Sequence, residues 1–333
     1  MSSKGIVENI RREYSSSLKS NEVDDWVDVH LMRPLAFLWV KFFAALGVHP
    51  NAVTILSMFV GAASLFFFAQ PSYYYGAGVW ANVIGILLLL LAYIFDCTDG
   101  QLARLTGKHS KLGRILDGSA GYAWYIPIYA ALVYRFYLYH GREYELLGIP
   151  LSDSSALLGA GVCILLAFLS GAICLASQQR TADYYVQIHL LFSKGMEHCE
   201  LDSAAKQRQI LDEMPASATW IERLVQRTYI KYTEQQEKRT PEFQNLMSRI
   251  NAKYGSFDNA PQQLRNALRQ QSKKAMRFAH MLVFNFRTFF LALFCLLDFP
   301  LEYFLFEIIV ITLIERYTIH RHEAFCRRAA ADL

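Results

Sequence analysis

The sequence predicts an all-α, polytopic membrane bundle of six transmembrane helices, and three observations carry that expectation. Hydrophobic residues fill 53% of the 333 positions and charged residues only 19%, with a mean hydropathy of +0.18. That is too apolar for an ordinary soluble enzyme and too charged to lie wholly in lipid. Six apolar stretches approach the ~20 residues that cross a hydrocarbon core as helix, and a polar block separates the fourth from the fifth. The chain thus divides into an N-terminal region with an interfacial helix (1–50), four spans (51–176), a helical insert (177–278), two more spans (279–318) and a basic tail (319–333).

The residues up to Pro34 are polar and charged and lack the apolar core of a signal peptide, so insertion is expected to rely on the internal segments. Leu35 to Leu46 is apolar but only ~18 Å long as a helix, too short to cross. Pro34 and Gly47 mark its start and stop, which places it flat on the inner membrane face. Pro50 opens the first span, at 52–69, where Asn51, Thr54 and Ser57 recur near one face, either to line a polar cleft or to pack against a neighbour. The other spans are expected at 78–95, 121–139, 156–176, 281–297 and 300–318. Basic residues crowd the connections Arg104 to Arg114, Arg180 to Arg277 and Arg316 to Arg328. Pro71 to Ala77 and Asp298 to Leu301 hold none, and His140 to Ser155 holds only Arg142. By the positive-inside rule both termini and the insert are cytoplasmic, and Tyr73, Tyr74, Tyr75 and Trp80 form an aromatic belt at the outer interface.

Within the insert, Thr219 and Glu222 have capping-box spacing before a stripe of Ile221, Leu224, Val225 and Tyr232. A second helix has Thr240 as N-cap, Pro241 in its first turn, Phe243, Leu246, Met247, Ile250 and Tyr254 on one face, and Gly255 past its end. A third pattern, Leu264, Ala267, Leu268 and Ala275, runs from Pro261 toward the fifth span. Such an insert suits either acceptor binding or docking of another copy or another protein. A net charge of +4 offers no argument for nucleic acid as a partner. The six cysteines show no CxxC spacing and read as free thiols.

The chemistry is concentrated in Asp96 to Gly121, DCTDGQLARLTGKHSKLGRILDGSAG. Asp96 and Asp99 are three residues apart, and Gly100 and Ala103 continue the same helix face without bulk. Asp117 follows on a second helical segment, one turn after Gly113 and one turn before Gly121. Charged groups at the edge of a membrane bundle default to function. Three hard oxygen ligands beside small residues suit Mg²⁺ or Mn²⁺ carrying a phosphate ester. The bland alternative is a carboxylate cluster paired with Arg104, Lys108, Lys111 and Arg114.

This string resembles the signature of the CDP-alcohol phosphotransferases, D-x-x-D-G-x-x-A-R-x8-G-x-x-x-D-x-x-x-D, at every fixed position except the last, where Gly121 replaces the fourth Asp. The segment from Gly47 to Phe68 is similar to that family's first membrane helix and its approach. The resemblance implies that Asp96, Asp99 and Asp117 ligate metal and that Asp96, Asp99, Gly100, Ala103 and Gly113 form the nucleotide site. It also implies that Arg104 pairs with the pyrophosphate of a CDP-linked donor, with Ser110 as a further hydrogen-bonding candidate. It implies a homodimer in the lipid bilayer, transferring a phosphoalcohol or phosphatidyl group to an acceptor with release of CMP.

In the family the fourth Asp completes a second metal site and takes the acceptor's proton; glycine does neither. Three readings follow. Asp183 substitutes as base, unless it is only the i,i+3 surface partner of Arg180. Alternatively, the acceptor is a phosphate that is already anionic. Or the protein binds or senses a CDP-lipid without turning it over. Arg287 and Glu307, inside the fifth and sixth spans, are expected either to pair with each other or, if Arg287 turns toward Asp117, to bind acceptor phosphate. His320 and His322 read as part of a basic tail rather than a metal site.

Overall fold

The computed structural model describes residues 3–18, 23–72, 76–108, 111–139, 153–199, 201–215 and 217–333, and all regular structure among them is helical. In chain order the main helices are α1 (Ser3–Ser17), α2 (Arg33–Ala45), α3 (Pro50–Ala63), α4 (Gly76–Thr106), α5 (Lys111–Tyr139), α6 (Asp153–Phe168) and α7 (Ala176–Lys194). They continue with α8 (Ala204–Asp212), α9 (Trp220–Arg239), α10 (Pro241–Tyr254), α11 (Gln262–Ala279), α12 (Phe284–Leu297), α13 (Pro300–Phe306) and α14 (Thr312–Ala331). The chain forms two compact units, one from Met1–Leu175 with Phe284–Val310 and one from Ala176–Val283 with Ile311–Leu333.

In the first unit, α2 stops where the sequence places its stop, at Gly47 with φ +67°, a backbone that favours glycine. It buries Ala36, Phe37, Val40 and Phe43, the last three in a cluster with Phe95 and Leu102 of α4, and leaves Leu35, Leu38, Phe42 and Leu46 exposed at helical spacing. One apolar face meets protein and the other faces outward. Helix α3 packs on both α4 and α5. Its contact with α5 is close because position 61 has no side chain: a Cβ there would stand 2.1 Å from Cδ1 of Trp124. The indole Nε1 then donates to the Ser57 carbonyl at 3.0 Å.

The core of this unit gathers Phe68, Leu89, Trp124, Tyr125, Ile128, Leu132, Leu291 and Tyr303. Phe59, Phe66, Leu87, Ile126, Leu157, Phe168 and Phe289 are instead exposed, a distribution suited to lipid rather than water. By length and composition four helical stretches among the described residues are apolar enough to cross a membrane: Pro50–Phe68, Gly78–Thr106, Leu157–Lys194 and Gln262–Leu297. The expected spans at 121–139 and 300–318 are largely helical but more polar, the first through its tyrosines and Arg135, the second through Glu302, Glu307, Glu315 and Arg316.

Two buried arginines of this unit are paired. Arg287 forms an ion pair with Glu307, which also accepts from Tyr129, Ser170 and, at 2.6 Å, Tyr303. The structural reading of Arg287 therefore holds over an acceptor-phosphate role. A second network, which the sequence reading did not single out, surrounds Arg135: it pairs with Asp298 and donates to Asn82 Oδ1 at 2.9 Å and to the carbonyls of Phe68 and Cys295.

The second unit has its own core of Tyr184, Tyr185, Ile188, Phe192, Phe243, Leu246, Ile250, Leu268, Met276 and Cys326. The capping box at Thr219 and Glu222 forms as expected. The stripe that follows is corrected: Leu224 and Val225 are exposed, and α9 buries Ile230 and Thr233 instead. In α11, Ala267 is exposed and the buried face is Leu268, Ser272, Met276 and Ala279 at four- and three-residue steps. Thr240 occupies the N-cap position of α10, but its hydroxyl donates back to the Gln236 carbonyl. The Glu323 carboxylate from α14 caps α10 instead, accepting from the amides of Glu242 at 2.6 Å and Phe243 at 3.4 Å. The tyrosines at 73–75 and most of the 140–155 connection lie outside the described residues.

Candidate functional site

Helices α4 and α5 form a hairpin joined by residues 107–110, and that geometry makes the site. Asp96 and Asp99 sit near the end of α4 and Asp117 near the start of α5. Their carboxylate oxygens lie within 4.8 Å of one another. Two of these oxygens, Asp96 Oδ1 and Asp99 Oδ2, are buried without a hydrogen-bond partner, and Asp99 is only 4% exposed. At that spacing and an effective dielectric of ~20, each pair of full charges repels by about 3.5 kcal/mol. Asp99 is buried, Asp96 partly buried and Asp117 exposed, and acids gathered so closely are tolerated when a cation is held among their oxygens. The donor set is hard oxygen, which fits Mg²⁺ or Mn²⁺.

The helix faces bring in the other expected residues. Gly100 lies under the Arg104 guanidinium, whose Nη1 and Nη2 would sit 3.5 Å from a Cβ at that position. Arg104 Nε donates to the Ser17 carbonyl at the end of α1, while Nη2 is buried with no partner. Ala103 and Gly113 are partly buried on the two helices of the hairpin. Of the polar residues of the first span, Thr54 of α3 faces Asp99, while Ser57 packs against α5 by accepting from Trp124 at its carbonyl. Ser110 lies outside the described residues. Asp183 belongs to the second unit, where the Tyr232 hydroxyl donates to its Oδ2 at 3.0 Å.

The sequence reading missed the N-terminal arm. Gln101 Nε2 donates to the Arg33 carbonyl and Thr98 Oγ1 to that of Ala36, which fixes the start of α2 on the acidic end of α4. Arg33 pairs with Asp24 at 3.0 Å and keeps a buried, unpartnered Nε. Behind it, Asp28 Oδ1 accepts from Tyr93 at 2.8 Å and from Asn285 Nδ2 at 2.9 Å, and Asn285 also donates to Asp25 at 2.7 Å. Burial first, and then the neighbouring Asp25, push the Asp28 carboxyl above its ordinary range, against the lowering effect of Asn285, Tyr93 and Arg33. The signal available in the sequence was the run Asp24, Asp25, Asp28 and Arg33 ahead of an apolar helix.

A second cluster in the other unit brings His322, Glu323 and Cys326 within 4.8 Å, without His320. Its chemistry suits structure rather than a metal. The Glu323 oxygens are engaged by backbone amides, and burial followed by the nearby Glu323 and Glu242 raises the Cys326 thiol, which keeps it protonated.

Residues 47–179 match the family model of the CDP-alcohol phosphatidyltransferases. An archaetidylinositol phosphate synthase of Aeropyrum pernix is 35% identical over 79 residues, 24% of this chain and 36% of the relative. One from Pyrococcus horikoshii is 38% identical over 80 residues, 24% and 37% of the two chains. An uncharacterized protein of Aquifex aeolicus is 32% identical over 90 residues, 27% and 39%. The chain spans little more than a third of the length of these relatives. No solved structure matches it.

Proposed function

We propose that the protein transfers a phosphoalcohol or phosphatidyl group from a CDP-linked donor to an acceptor, releasing CMP, in phospholipid or related phosphodiester synthesis. The observation that carries this reading is the convergence of Asp96, Asp99 and Asp117 with two buried, unpartnered oxygens, inside the stretch that matches the family. The names of two relatives, archaetidylinositol phosphate synthase, support a lipid-linked donor.

Asp96, Asp99 and Asp117 would hold Mg²⁺ or Mn²⁺. A bound divalent ion neutralises phosphate charge and polarises the phosphoryl group. The residues do the rest. Small side chains at Gly100, Ala103 and Gly113 admit the nucleotide, and Arg104 directs its spare Nη2 to the pyrophosphate, where a planar, permanently charged guanidinium is favoured. Thr54 orients Asp99. In this reading six helices cross the bilayer, the termini and the acid site are cytoplasmic by the positive-inside rule, and α2 lies in the inner interface.

Asp117→Asn is expected to abolish CMP release from CDP-alcohols in the presence of Mg²⁺; release at the parental rate removes Asp117 from the metal set. The second reading, a non-catalytic sensor of CDP-lipids, is favoured by one observation, the glycine at position 121. Binding of CDP-donors without CMP, across lipid and soluble acceptors, would establish it.

A further inference from the structure

The motif's last carboxylate would stand at position 121, one turn on from Asp117 along α5. In the α4–α5 hairpin, where Asp96 and Asp117 converge, one turn on along α5 is level with one turn back along α4. One turn back from Asp96 is Tyr93. The ring of Tyr93 stacks on Phe284 at 4.0 Å, and Phe284 in turn meets Trp124 at 5.5 Å and Tyr125 at 6.4 Å, both on the face of α5 that carries Gly121. The Tyr93 side chain stays partly exposed, and its hydroxyl donates to Asp28. Phe284 thus lies against Tyr93 of α4 and against Trp124 and Tyr125 of α5, and the Tyr93 hydroxyl carries the contact on to a carboxylate of the N-terminal arm.

We propose that Tyr93 and Asp28 together replace the missing carboxylate as the proton acceptor, and that the acceptor substrate is accordingly a neutral alcohol. This rests on the transferase reading above. The acceptor oxygen bonds to the donor phosphorus that carries the alcohol, and the anhydride P–O bond to CMP breaks, its electron pair leaving with CMP. The hydroxyl proton moves onto the Tyr93 oxygen as the phenol's own proton passes to the Asp28 carboxylate. A neutral alcohol needs such help, whereas an anionic phosphate acceptor does not.

Three features make Asp28 suited to this. It is 8% exposed, so it is shielded from water, and it accepts the Tyr93 hydroxyl at 2.8 Å. Asn285 holds its Oδ1 and Asp28's own amide is held by Asp25 Oδ1 at 2.7 Å, so the carboxylate is fixed in place. The ionisable groups around it are Asp25 on its own segment, Arg33 at the start of α2, and Tyr93 and Cys97 on α4, with the neutral amide of Asn285 from α12. Their balance leaves its affinity for protons above that of an ordinary carboxyl, the direction a base working near neutrality requires. Independently, the unpartnered Asp96 Oδ1 and Asp99 Oδ2 mark the neighbouring level as a place where a ligand is held.

The test uses the full chain in detergent or vesicles, with CDP-diacylglycerol and a panel of polyols as acceptors, reading CMP release against pH. Asp28→Asn is expected to lose about a hundred-fold or more in kcat and to lose the acid limb of the parental pH profile, while melting no lower than the parent. Adding Gly121→Asp to Asp28→Asn is expected to restore turnover at least ten-fold, an effect that a purely structural Asp28 would not produce. Parental activity with an unchanged rate and pH profile in Asp28→Asn overturns the inference and leaves the transferase reading standing. Failure of Gly121→Asp to rescue a folded, inactive Asp28→Asn also overturns it. Should Asp28→Asn fail to fold, Tyr93→Phe takes its place with the same pH readout, and an unchanged profile there is equally fatal. No CMP from the parental chain with any acceptor overturns the transferase reading, and this inference with it.

Discussion

Replacing Arg287 by Met tests whether the charges inside the first unit are structural. Arg287 is 1% exposed and Glu307 0%, so the substitution leaves a carboxylate with neither water nor a counter-charge. Breaking a buried pair in this way costs about 3–5 kcal/mol. Tyr129, Ser170 and Tyr303 would still donate to Glu307, which points to the lower end, ~3 kcal/mol. For a folded unit of this size that lowers Tm by roughly 6–12 °C. The assay is thermal melting in detergent, followed by tryptophan fluorescence. Adding Glu307→Gln removes the stranded charge while keeping an acceptor for the three hydroxyls, so Arg287→Met with Glu307→Gln should recover most of the loss. A single Arg287→Met variant that melts within about 2 °C of the parent would refute the argument. So would a double variant no more stable than the single.

Further expectations concern packing and pH. Gly61→Ala places a methyl 2.1 Å from the Trp124 ring and should destabilise by about 1–3 kcal/mol in the same melting assay, a loss that Trp124→Leu in the same chain should partly reverse. Asp28 has a folded-state affinity for protons above its unfolded value, so the folded state binds the extra proton and its stability falls as pH rises out of the ordinary carboxylate range. Asp28→Asn should therefore melt higher than the parent at pH 7.5, with the difference shrinking toward pH 4; a pH-independent difference contradicts the assignment.

The sequence was most informative where one local rule decided the outcome. The Asp96–Asp99–Asp117 spacing needed only helical geometry and one hairpin, and Pro50, Gly47 and the Thr219–Glu222 box needed only backbone chemistry. It was least informative where a tertiary partner overrode a local signal. Thr240 has the right chemistry for an N-cap, yet Glu323, some eighty positions away, occupies the amides. The apolar stripe at Leu224 and Val225 has helical spacing, but nothing in that spacing says which face finds a neighbour. The Tyr93–Asp28–Asn285 network was illegible for the same reason. Its members lie 65 and 257 positions apart, and only the placing of the N-terminal arm on α4 brings them together.

The Glu323 cap also bears on how the protein is made. The second unit is assembled from two separate stretches of chain, and the amides that open α10 are satisfied by a residue in the last helix. During synthesis the insert therefore emerges with α10 uncapped and part of its core missing, Cys326 and Ala330 among them. It must wait, incomplete, while α12 and α13 are made. Closure of the insert is then a late event in biogenesis that waits for α14 to be delivered, and loss of that helix would leave the unit open however well the preceding residues had folded.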